Sequence, residues 1–285
     1  MEEKPGEAVI PESLWLDGTK GRLAGVFYRA DSDLKGALVV APPFAEERKC
    51  SHRSLHRTAL GLARRGFSCL RLDFFGMGDS QGAFQEADLD TWLEDLLTGA
   101  DWLAERHPGT RPGVLGLRLG GTLCARALGK RRLGPCVLWQ PLISGSAFLK
   151  DSLKRKRIKR MMTEGKGAGA EEEMREALSS GRAVDFDGYA VSPRMYGQLE
   201  SLDLFGEALP GEADLFWVQM GPSQNVQKDS QDLADRWNQG PARVEIVAVR
   251  EKPFWNLIGA LDEPEAFLPT ARWLEEREAE RWKST

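Results

Sequence analysis

An arginine at the centre of a sharp strand-to-helix turn constrains the fold of this chain more than any other feature. Residues 114–117 form a short apolar run, and a helix-forming stretch follows from Leu119. The motif over residues 116–120 reads Gly-Leu-Arg-Leu-Gly, with Arg118 at its centre. In a G-x-S-x-G turn of this shape, the central residue is a nucleophile held at the start of a helix. A guanidinium stays protonated and cannot attack a carbonyl carbon, so the turn is predicted to lack its nucleophile.

Strand-like and helix-like runs alternate on both sides of this turn. The predicted strands span residues 14–16, 23–28, 37–41, 67–73, 113–117, 136–139, 215–220 and 244–249. The predicted helices span residues 54–65, 89–103, 119–128 and 265–281. This order favours βα units, and we predict an α/β fold whose mostly parallel sheet of about eight strands is flanked by helices.

The succession of strands is interrupted between residues 145 and 205. This segment is charged, rich in loops and biased towards helix, without strand alternation, and residues 150–160 include seven lysines and arginines. We therefore predict a core in two parts, residues 1–144 and 206–285, with a helical cap at 145–205 inserted after the sixth strand.

Composition and charge exclude several classes of protein. The net charge of −4 gives no general attraction to nucleic acid or to anionic membranes. The first residues lack the apolar core of a signal peptide, and no apolar run approaches the ~20 residues of a membrane helix. The cysteines, at 50, 69, 124 and 136, lack C-x-x-C spacing and indicate a reducing compartment. We expect a soluble, cytoplasmic protein with no cofactor, no metal, no membrane span and no nucleic-acid partner; the sequence is compatible with a homodimer.

The other members of a Ser-His-Asp triad are missing from their expected positions. In the α/β-hydrolases, whose turn this motif resembles, the acid follows the seventh strand and the histidine follows the eighth. After Met220 the chain continues Gly-Pro-Ser-Gln-Asn, and after Val249 it continues Arg-Glu-Lys-Pro-Phe-Trp-Asn. The three histidines, His52, His56 and His107, all precede the turn. The joint loss of nucleophile, base and acid is stronger evidence than the loss of one residue.

The literal G-x-S-x-G pattern occurs at residues 78–82, with Ser80 at its centre. A nucleophile turn needs a strand directly before the serine and a helix directly after it. Ser80 instead follows the predicted strand end at Asp73 by several residues, within a glycine-rich loop. Loops of this form are typical of a structural turn after the fourth strand, although Ser80 as a nucleophile is kept as an alternative.

Several motifs resemble one family within the α/β-hydrolases. They lie at residues 40–49 with Ser51, 72–82, 92–96, 116–120, 138–141 and 253–255, and the likeness continues through the basic segment to 187–189. Together they resemble the exosortase A system-associated hydrolase 2 family. The resemblance implies the α/β-hydrolase fold, arginine at the turn, and a genomic setting beside exosortase and exopolysaccharide genes, but it implies no reaction. Cys50 and His52 depart from the family pattern, which tends to have Lys and Arg there.

Two hypotheses are open for Arg118. In the first, it binds an anionic ligand, because a guanidinium at a helix N-terminus offers up to five donors in a fork that suits carboxylate or phosphate. In the second, it forms an internal ion pair with Glu46 or Glu47 on the neighbouring loop tip, or with Asp73. A buried arginine without such a partner costs several kcal/mol. The two hypotheses are compatible, since a paired arginine can still line a pocket.

Three weaker sequence patterns each have a functional and a purely structural interpretation. His52 and His56, with Cys50 nearby, have a spacing that can hold a metal or activate a thiol, but first-turn or surface histidines are the simpler interpretation. The basic run 150–160 is either an anion-attracting patch or a solvated helix that packs through Leu153 and Ile158. Phe254 and Trp255 follow the eighth predicted strand, where an α/β-hydrolase has its catalytic histidine. They either fill the active-site cavity of that fold or stack on a sugar ring.

We predict a non-catalytic or atypical binding or accessory protein with a degenerate triad. Its partner is a small anionic or saccharide-like ligand, and the resemblance links it to exosortase and exopolysaccharide systems. The predicted ligand-binding residues are Arg118, Glu46, Glu47, Phe44, Leu119 and Trp255. The alternative is an active esterase-like or peptidase-like hydrolase, in which Glu46 or Glu47 acts as general base on water and Arg118 polarises the scissile group.

Overall fold

The computed structural model describes residues 9–164, 170–209, 211–257, 259 and 263–277. The strands are β1 (Glu12–Asp17), β2 (Arg22–Tyr28), β3 (Gly36–Ala41), β4 (Phe67–Leu72), β5 (Gly113–Leu117), β6 (Cys136–Trp139), β7 (Val184–Phe186), β8 (Tyr189–Val191), β9 (Asp214–Gly221) and β10 (Arg243–Arg250). The helices are α1 (Glu46–Ala63), α2 (Leu89–Arg106), α3 (Leu119–Leu128), α4 (Gly145–Glu164), α5 (Ala170–Ser179), α6 (Pro193–Glu200), α7 (Lys228–Asn238) and α8 (Phe267–Glu275).

Eight strands form one sheet in the order β1-β2-β4-β3-β5-β6-β9-β10. The two pairings at one edge, β1 with β2 and β2 with β4, are antiparallel, whereas the pairings from β4 to β10 are parallel. The predicted mostly parallel, eight-stranded sheet is therefore confirmed. Because parallel strands end at the same edge, the turns after β3, β5 and β6 lie side by side.

Two apolar cores cover the faces of this sheet. The central strands β3 and β5 are buried along their whole length, as expected for parallel strands covered on both faces. On one face, Trp92 and Leu96 of α2 and Leu123 of α3 belong to the larger core. On the other, Leu55 and Leu62 of α1 pack with Phe267 of α8. The site at the strand ends therefore rests on a rigid support.

The segment between β6 and β9 holds α4, α5 and α6, as its helical bias predicted. It also contains the hairpin β7–β8, so the expectation of no strands there was wrong. The turn of the hairpin is Asp187-Gly188, and both residues have positive φ, at 52° and 90°. An Asp-Gly pair suits this conformation, since two-residue hairpin turns require positive φ. The division into a core and a cap at 145–205 stays a prediction.

The helices of the core differ from the sequence expectations at several points. Helix α1 begins at Glu46, eight residues before the expected start at residue 54, so Glu46 and Glu47 lie on a helix and not on a loop tip. Helix α7 was not anticipated. The last helix, α8, ends at Glu275, and the end predicted for it at 281 lies outside the described residues. None of the helices in the described part of the chain has the length and apolar character needed to cross a bilayer.

Candidate functional site

The turns after three adjacent strands each contain a non-glycine residue with positive φ. Ala45 lies in the turn after β3, directly before α1 (φ 48°, ψ −124°), and Arg118 directly follows β5 (φ 56°, ψ −121°). Gln140 follows β6, with φ 44°. Such conformations are costly for residues with a side chain and concentrate at functional sites. The chain therefore keeps the strained turn of a nucleophile elbow with an arginine at its apex.

The glycines of the motif are required by close packing at this turn. A Cβ added to Gly120 would lie 2.5 Å from the carbonyl oxygens of Ala41 and Pro42, and one added to Gly116 would lie 2.3 Å from Gly120. The Arg118 N–H donates to the Trp139 carbonyl oxygen at 2.9 Å, which ties the turn to β6. The backbone at Arg118 is thus fixed by its neighbours on three strands.

Glu47 neutralises the Arg118 guanidinium. Arg118 Nε lies 3.3 Å from Oε1 and 3.4 Å from Oε2 of Glu47, and Nη1 donates to the Gln140 carbonyl oxygen at 3.5 Å. The two side chains retain 15% and 7% of their exposure, so the pair is largely removed from water. Of the three carboxylates considered as partners from the sequence, the structure places Glu47 on the arginine.

The other two carboxylates are engaged elsewhere. Glu46 lies 3.5 Å from Lys49, one turn along α1. Asp73 forms a short ion pair with Arg48, 2.5 Å between Nη2 and Oδ1. Glu46 and Glu47 are consecutive on a helix and therefore point in different directions, which is why only one of them reaches the turn.

Aromatic rings cover the remaining faces of the guanidinium. Its carbon lies 5.2 Å from the centroid of Trp255 and 5.9 Å from that of Phe148, distances typical of cation–π contact. Trp255 comes from the 3-10 turn Phe254–Asn256 after β10 and occupies the region expected for a catalytic histidine. Phe254 is fully buried in the core against α1 and α8 and does not reach the pair.

Burial raises the pKa of Glu47 above its ordinary value. Loss of water around the carboxylate is the larger effect, and the positive charges of Arg118 and Arg155 oppose it. The hydrogen bond from Arg118 also favours the ionised form. A carboxylate in this state binds a proton more readily than a surface glutamate does.

Two cavities open on either side of the pair. The first, here called the aromatic cavity, has a volume of about 450 Å³. It is lined by the side chains of Phe44, Phe148, Phe186 and Trp255, and by Cys50, Ser152 and Asn256, with the charged residues Glu46, Glu47, Lys49, Arg155, Lys156 and Asp187. The second, here called the acidic cavity, has a volume of about 600 Å³ and contains Arg118, Gln140, Asp151, Glu200, Asp203 and Asp229.

The predicted ligand-binding residues are divided between these spaces. Phe44, Glu46, Glu47 and Trp255 line the aromatic cavity, whereas Arg118 faces the acidic one. Leu119 is buried in the larger core at the first turn of α3, so its side chain contributes packing. Phe148 and Arg155 also belong to the site but were not selected from the sequence. The basic run could have indicated Arg155. Which residues of the run line the cavity depends on the rotation of α4 about its axis, which the sequence does not give.

Ser80 stabilises a loop in the structure. Its Oγ donates to the Asp73 carbonyl oxygen at 2.5 Å and accepts the Ala24 N–H at 2.8 Å. The first contact closes the loop after β4 on itself, the second joins that loop to β2, and the hydroxyl is buried. Ser80 therefore has the structural role of a turn residue, and the literal motif at 78–82 is not a nucleophile elbow.

The histidines near Cys50 are held by protein partners. His56 Nδ1 lies 2.8 Å from the Tyr28 hydroxyl, and His52 Nδ1 lies 3.2 Å from Nη2 of Arg71. Burial, followed by the charge of Arg71, lowers the pKa of both imidazoles. Within the described ranges, no group of three or more His, Cys, Asp or Glu side chains is arranged to hold a metal ion.

The basic helix α4 packs through residues other than those expected. Its buried side chains include Phe148, Leu149 and Ser152, whereas Ile158 is 48% exposed. The expectation that Ile158 contacts the core was wrong, because Ile158 lies about 120° around the helix axis from the buried Ser152, on the exposed side of α4. The exposed basic positions of α4 include Lys154, Arg155 and Arg157.

The end of β10 carries a carboxylate with a structural role. Glu251 accepts the Lys252 N–H at 3.1 Å and the Glu265 N–H at 2.6 Å, which holds the chain ahead of α8. Burial raises the pKa of this carboxyl group, and the two hydrogen bonds oppose the shift. Its oxygens are therefore occupied by backbone donors.

Similar folds are found among solved structures. DcsB in complex with a substrate analogue is 18% identical, with a TM-score of 0.63 over 94% of this chain and 97% of that one. The esterase Pf2001 of Pyrococcus furiosus is 16% identical, with a TM-score of 0.62 over 97% of this chain and 92% of that one. Est1E of Butyrivibrio proteoclasticus, bound to ferulic acid, is 12% identical, with a TM-score of 0.61 over 92% and 96%.

The strand order and these likenesses show that the chain has the α/β-hydrolase fold. At such identities the likeness extends to the fold alone. No protein-family model matches the chain. An uncharacterised protein of Rickettsia prowazekii is 26% identical over 120 residues, which are 41% of this chain and 50% of that protein. The match thus spans half the length of that relative.

Proposed function

We propose that this chain is a binding or accessory protein that uses an α/β-hydrolase fold without serine-hydrolase chemistry. The observation that carries the proposal is the state of Arg118, which stands at the nucleophile position, is neutralised by Glu47 and is covered by Trp255. A fold of this kind hosts many functions, so the proposal rests on the candidate site and not on the fold. Among the residues that the structure describes, the site offers a cavity and charges, and the turn holds Arg118 with Glu47 in place of a nucleophile and its base.

The proposed ligand is a small anionic or saccharide-like molecule in the aromatic cavity. Aromatic walls with a few charged groups are typical of ligand pockets, and a ring such as Trp255 can stack on a sugar face. Because Glu47 already balances Arg118 and Arg118 faces the acidic cavity, we assign Arg118 to the support of Glu47 and Trp255, which line the aromatic cavity. A role beside exosortase or exopolysaccharide systems is part of the proposal and rests on the sequence resemblance.

Calorimetric titration with D-glucuronate, 4-phenylbutyrate and the uncharged 4-phenylbutanol tests this function. We expect at least one of these probes to bind the wild type, and Trp255→Ala to weaken that binding by about tenfold through loss of the cavity wall. Trp15→Ala is the matched control, because Trp15 is exposed on the edge strand β1. Binding of none of the three probes, or equal loss in both variants, would contradict the proposal.

An active hydrolase is the second candidate, and the raised pKa of Glu47 favours it. A general base works best when its pKa is near the working pH, and burial moves Glu47 in that direction despite Arg118. In this version Glu47 takes a proton from water while Arg118 polarises the scissile carbonyl. The rate would rise as pH increases through the Glu47 pKa, because only the ionised carboxylate accepts the proton.

Hydrolysis of 4-nitrophenyl acetate separates the two candidates. If Glu47 is the base, Glu47→Gln lowers the rate by about 10²–10⁴-fold. Glu94→Gln is the control and leaves the rate unchanged, since Glu94 is exposed on α2 and does not line the aromatic cavity. Equal rates in the wild type and in both variants would be background hydrolysis and would exclude the enzyme.

A further inference from the structure

We propose that the aromatic cavity takes an amphipathic anion, an aromatic or acyl body with a carboxylate or phosphate group, and that Arg155 receives the anionic group. This inference rests on the proposed binding function and deepens it. It moves the anion site from Arg118, where the sequence placed it, to a residue of α4. Three properties of the cavity support it: apolar walls, the pairing of its other charges and the phase of α4.

Four aromatic side chains shape the apolar part of the cavity. Phe44 makes edge contacts with Phe148 and Phe186, with ring centroids 6.0 and 5.8 Å apart. Phe148 and Phe186 are themselves 6.3 Å apart, and Trp255 lines the cavity where it covers Arg118. These rings come from the loop between β3 and α1, from α4, from β7 and from the turn after β10. Burying an apolar part of a ligand against these rings makes the free energy of binding more favourable. An inorganic anion has no apolar part to bury, so the cavity favours an organic ligand.

The other cations near the cavity already have carboxylate partners. Lys49 lies 3.5 Å from Glu46, and Lys156 Nζ lies 2.9 Å from Asp185 Oδ2. Arg118 is paired with Glu47, so neither member of that pair presents a net charge to a ligand. Asp187, the remaining carboxylate of the lining, also has an interaction partner in the fold.

Arg155 differs from these cations. Its Nη2 donates to the buried Ser152 hydroxyl at 2.9 Å, and among the described residues it forms no salt bridge with a carboxylate. A guanidinium has five N–H donors, so the contact with Ser152 leaves several for a ligand. The positive charge of Arg155 acts on Glu47, which places it within electrostatic range of the buried pair.

The periodicity of α4 directs Arg155 to the cavity. Phe148, Ser152 and Arg155 stand at i, i+4 and i+7, so they share one face of the helix. All three line the cavity. Arg157, two residues on, is exposed as Arg155 is, but it lies on another face of α4 and does not line the cavity. The helix therefore offers a matched pair of arginines, one at the cavity and one outside it.

The test compares 4-phenylbutyrate with 4-phenylbutanol, which share an aromatic body and differ in charge. Dissociation constants are measured by calorimetry for the wild type, Arg155→Gln and Arg157→Gln. We expect the wild type to prefer the carboxylate and Arg155→Gln to weaken its binding by about tenfold, the contribution of one charge-assisted hydrogen bond. Binding of 4-phenylbutanol stays within about twofold, and Arg157→Gln resembles the wild type.

Each remaining outcome contradicts a defined part of the proposal. If both probes bind equally and Arg155→Gln has no effect, the cavity binds ligands but the anion assignment to Arg155 is wrong. If Arg157→Gln also removes the preference for the carboxylate, that preference comes from the overall positive charge of α4 and not from Arg155. If neither these two probes nor D-glucuronate binds the wild type, the proposed binding function itself is wrong. Circular dichroism of each variant verifies that the fold is retained.

Discussion

Arg118 and Glu47 depend on each other because each would otherwise be a buried, uncompensated charge. Arg118 is held at a fixed backbone position by the turn after β5, and Glu47 approaches it from the first turn of α1. Breaking a buried pair on one side is strongly destabilising, whereas replacing both partners can cost little. The loss of stability on removing one partner therefore distinguishes an arginine in an internal ion pair from an arginine that is neutralised only when a ligand binds.

A double-mutant cycle measures the coupling between the two residues. We expect Glu47→Gln and Arg118→Met each to lower the free energy of unfolding by about 2–4 kcal/mol, because each leaves the other charge unpaired. The double variant should lose less than the sum, with a coupling energy of about 1–3 kcal/mol. Urea denaturation gives the values, and Glu46→Gln, a more exposed site, should change them by less than about 0.5 kcal/mol. Additive losses would show that the pair is not coupled.

Asp95 gives a second prediction at the scale of one residue. It is fully buried on α2, where one oxygen accepts the Phe75 N–H at 2.8 Å, and burial raises its pKa to about 6. Its folded pKa lies above the unfolded value of about 3.9, so the native state binds more protons between the two. Stability should therefore fall as pH rises from about 4 to about 6, by an amount on the order of 2 kcal/mol.

The measurement is urea denaturation of the wild type and of Asp95→Asn at several pH values. The variant keeps an oxygen that can accept the Phe75 N–H but has no carboxyl group to titrate. We expect the free energy of unfolding of Asp95→Asn to fall less between pH 4 and pH 6 than that of the wild type. Parallel curves for the two proteins would assign the pH dependence to other groups.

Among the elements, those next to strong boundary residues were predicted best. β5, α3 and β6 have the predicted bounds, because Gly113, Arg118 and Pro141 mark their ends. The start of α1 was missed, since Glu47, Cys50 and Ser51 are buried without an apolar pattern. The acidic residues Glu46 and Glu47 could have indicated this helix start, because negative charges are favoured in the first turn of a helix. The three-residue strands of the hairpin are too short to show alternation.

The junction between α3 and the chain after β6 depends on one hydroxyl. Thr122 Oγ1 donates to the Leu142 carbonyl oxygen and accepts the Leu142 N–H, each at 2.9 Å. Thr122→Val leaves both buried groups without this partner, and we expect it to lower the free energy of unfolding by about 2–4 kcal/mol. Thr122→Ser keeps the hydroxyl and should lose about 1 kcal/mol for the missing methyl group. Equal losses in urea denaturation would mean that packing alone holds this junction.

At the scale of the molecule, the sequence predicts the strand ends that carry the candidate site but not the side chains that meet there. The ends of β5, β9 and β10 could be assigned from strand order, so the residues that follow them could be read from the sequence. That these residues make up a degenerate triad stays a prediction. The partner of Arg118 could not be assigned, because that requires the rotation of α1 about its axis. The aromatic cavity could not be predicted either, since its walls come from four elements distant in sequence.

A serine at the turn should not restore a serine hydrolase, because the triad depends on three strand ends. Trp255 occupies the histidine region after β10, and after β9 the chain continues Pro222-Ser223-Gln224, without a carboxylate. The test uses Arg118→Ser combined with Glu47→Gln, so that no carboxylate is left buried and unpaired. We expect no labelling by a fluorophosphonate probe above that of Arg118→Ala with Glu47→Gln, although both variants fold. Selective labelling of the serine variant would show that another side chain supplies the base, because an unactivated serine hydroxyl is a weak nucleophile.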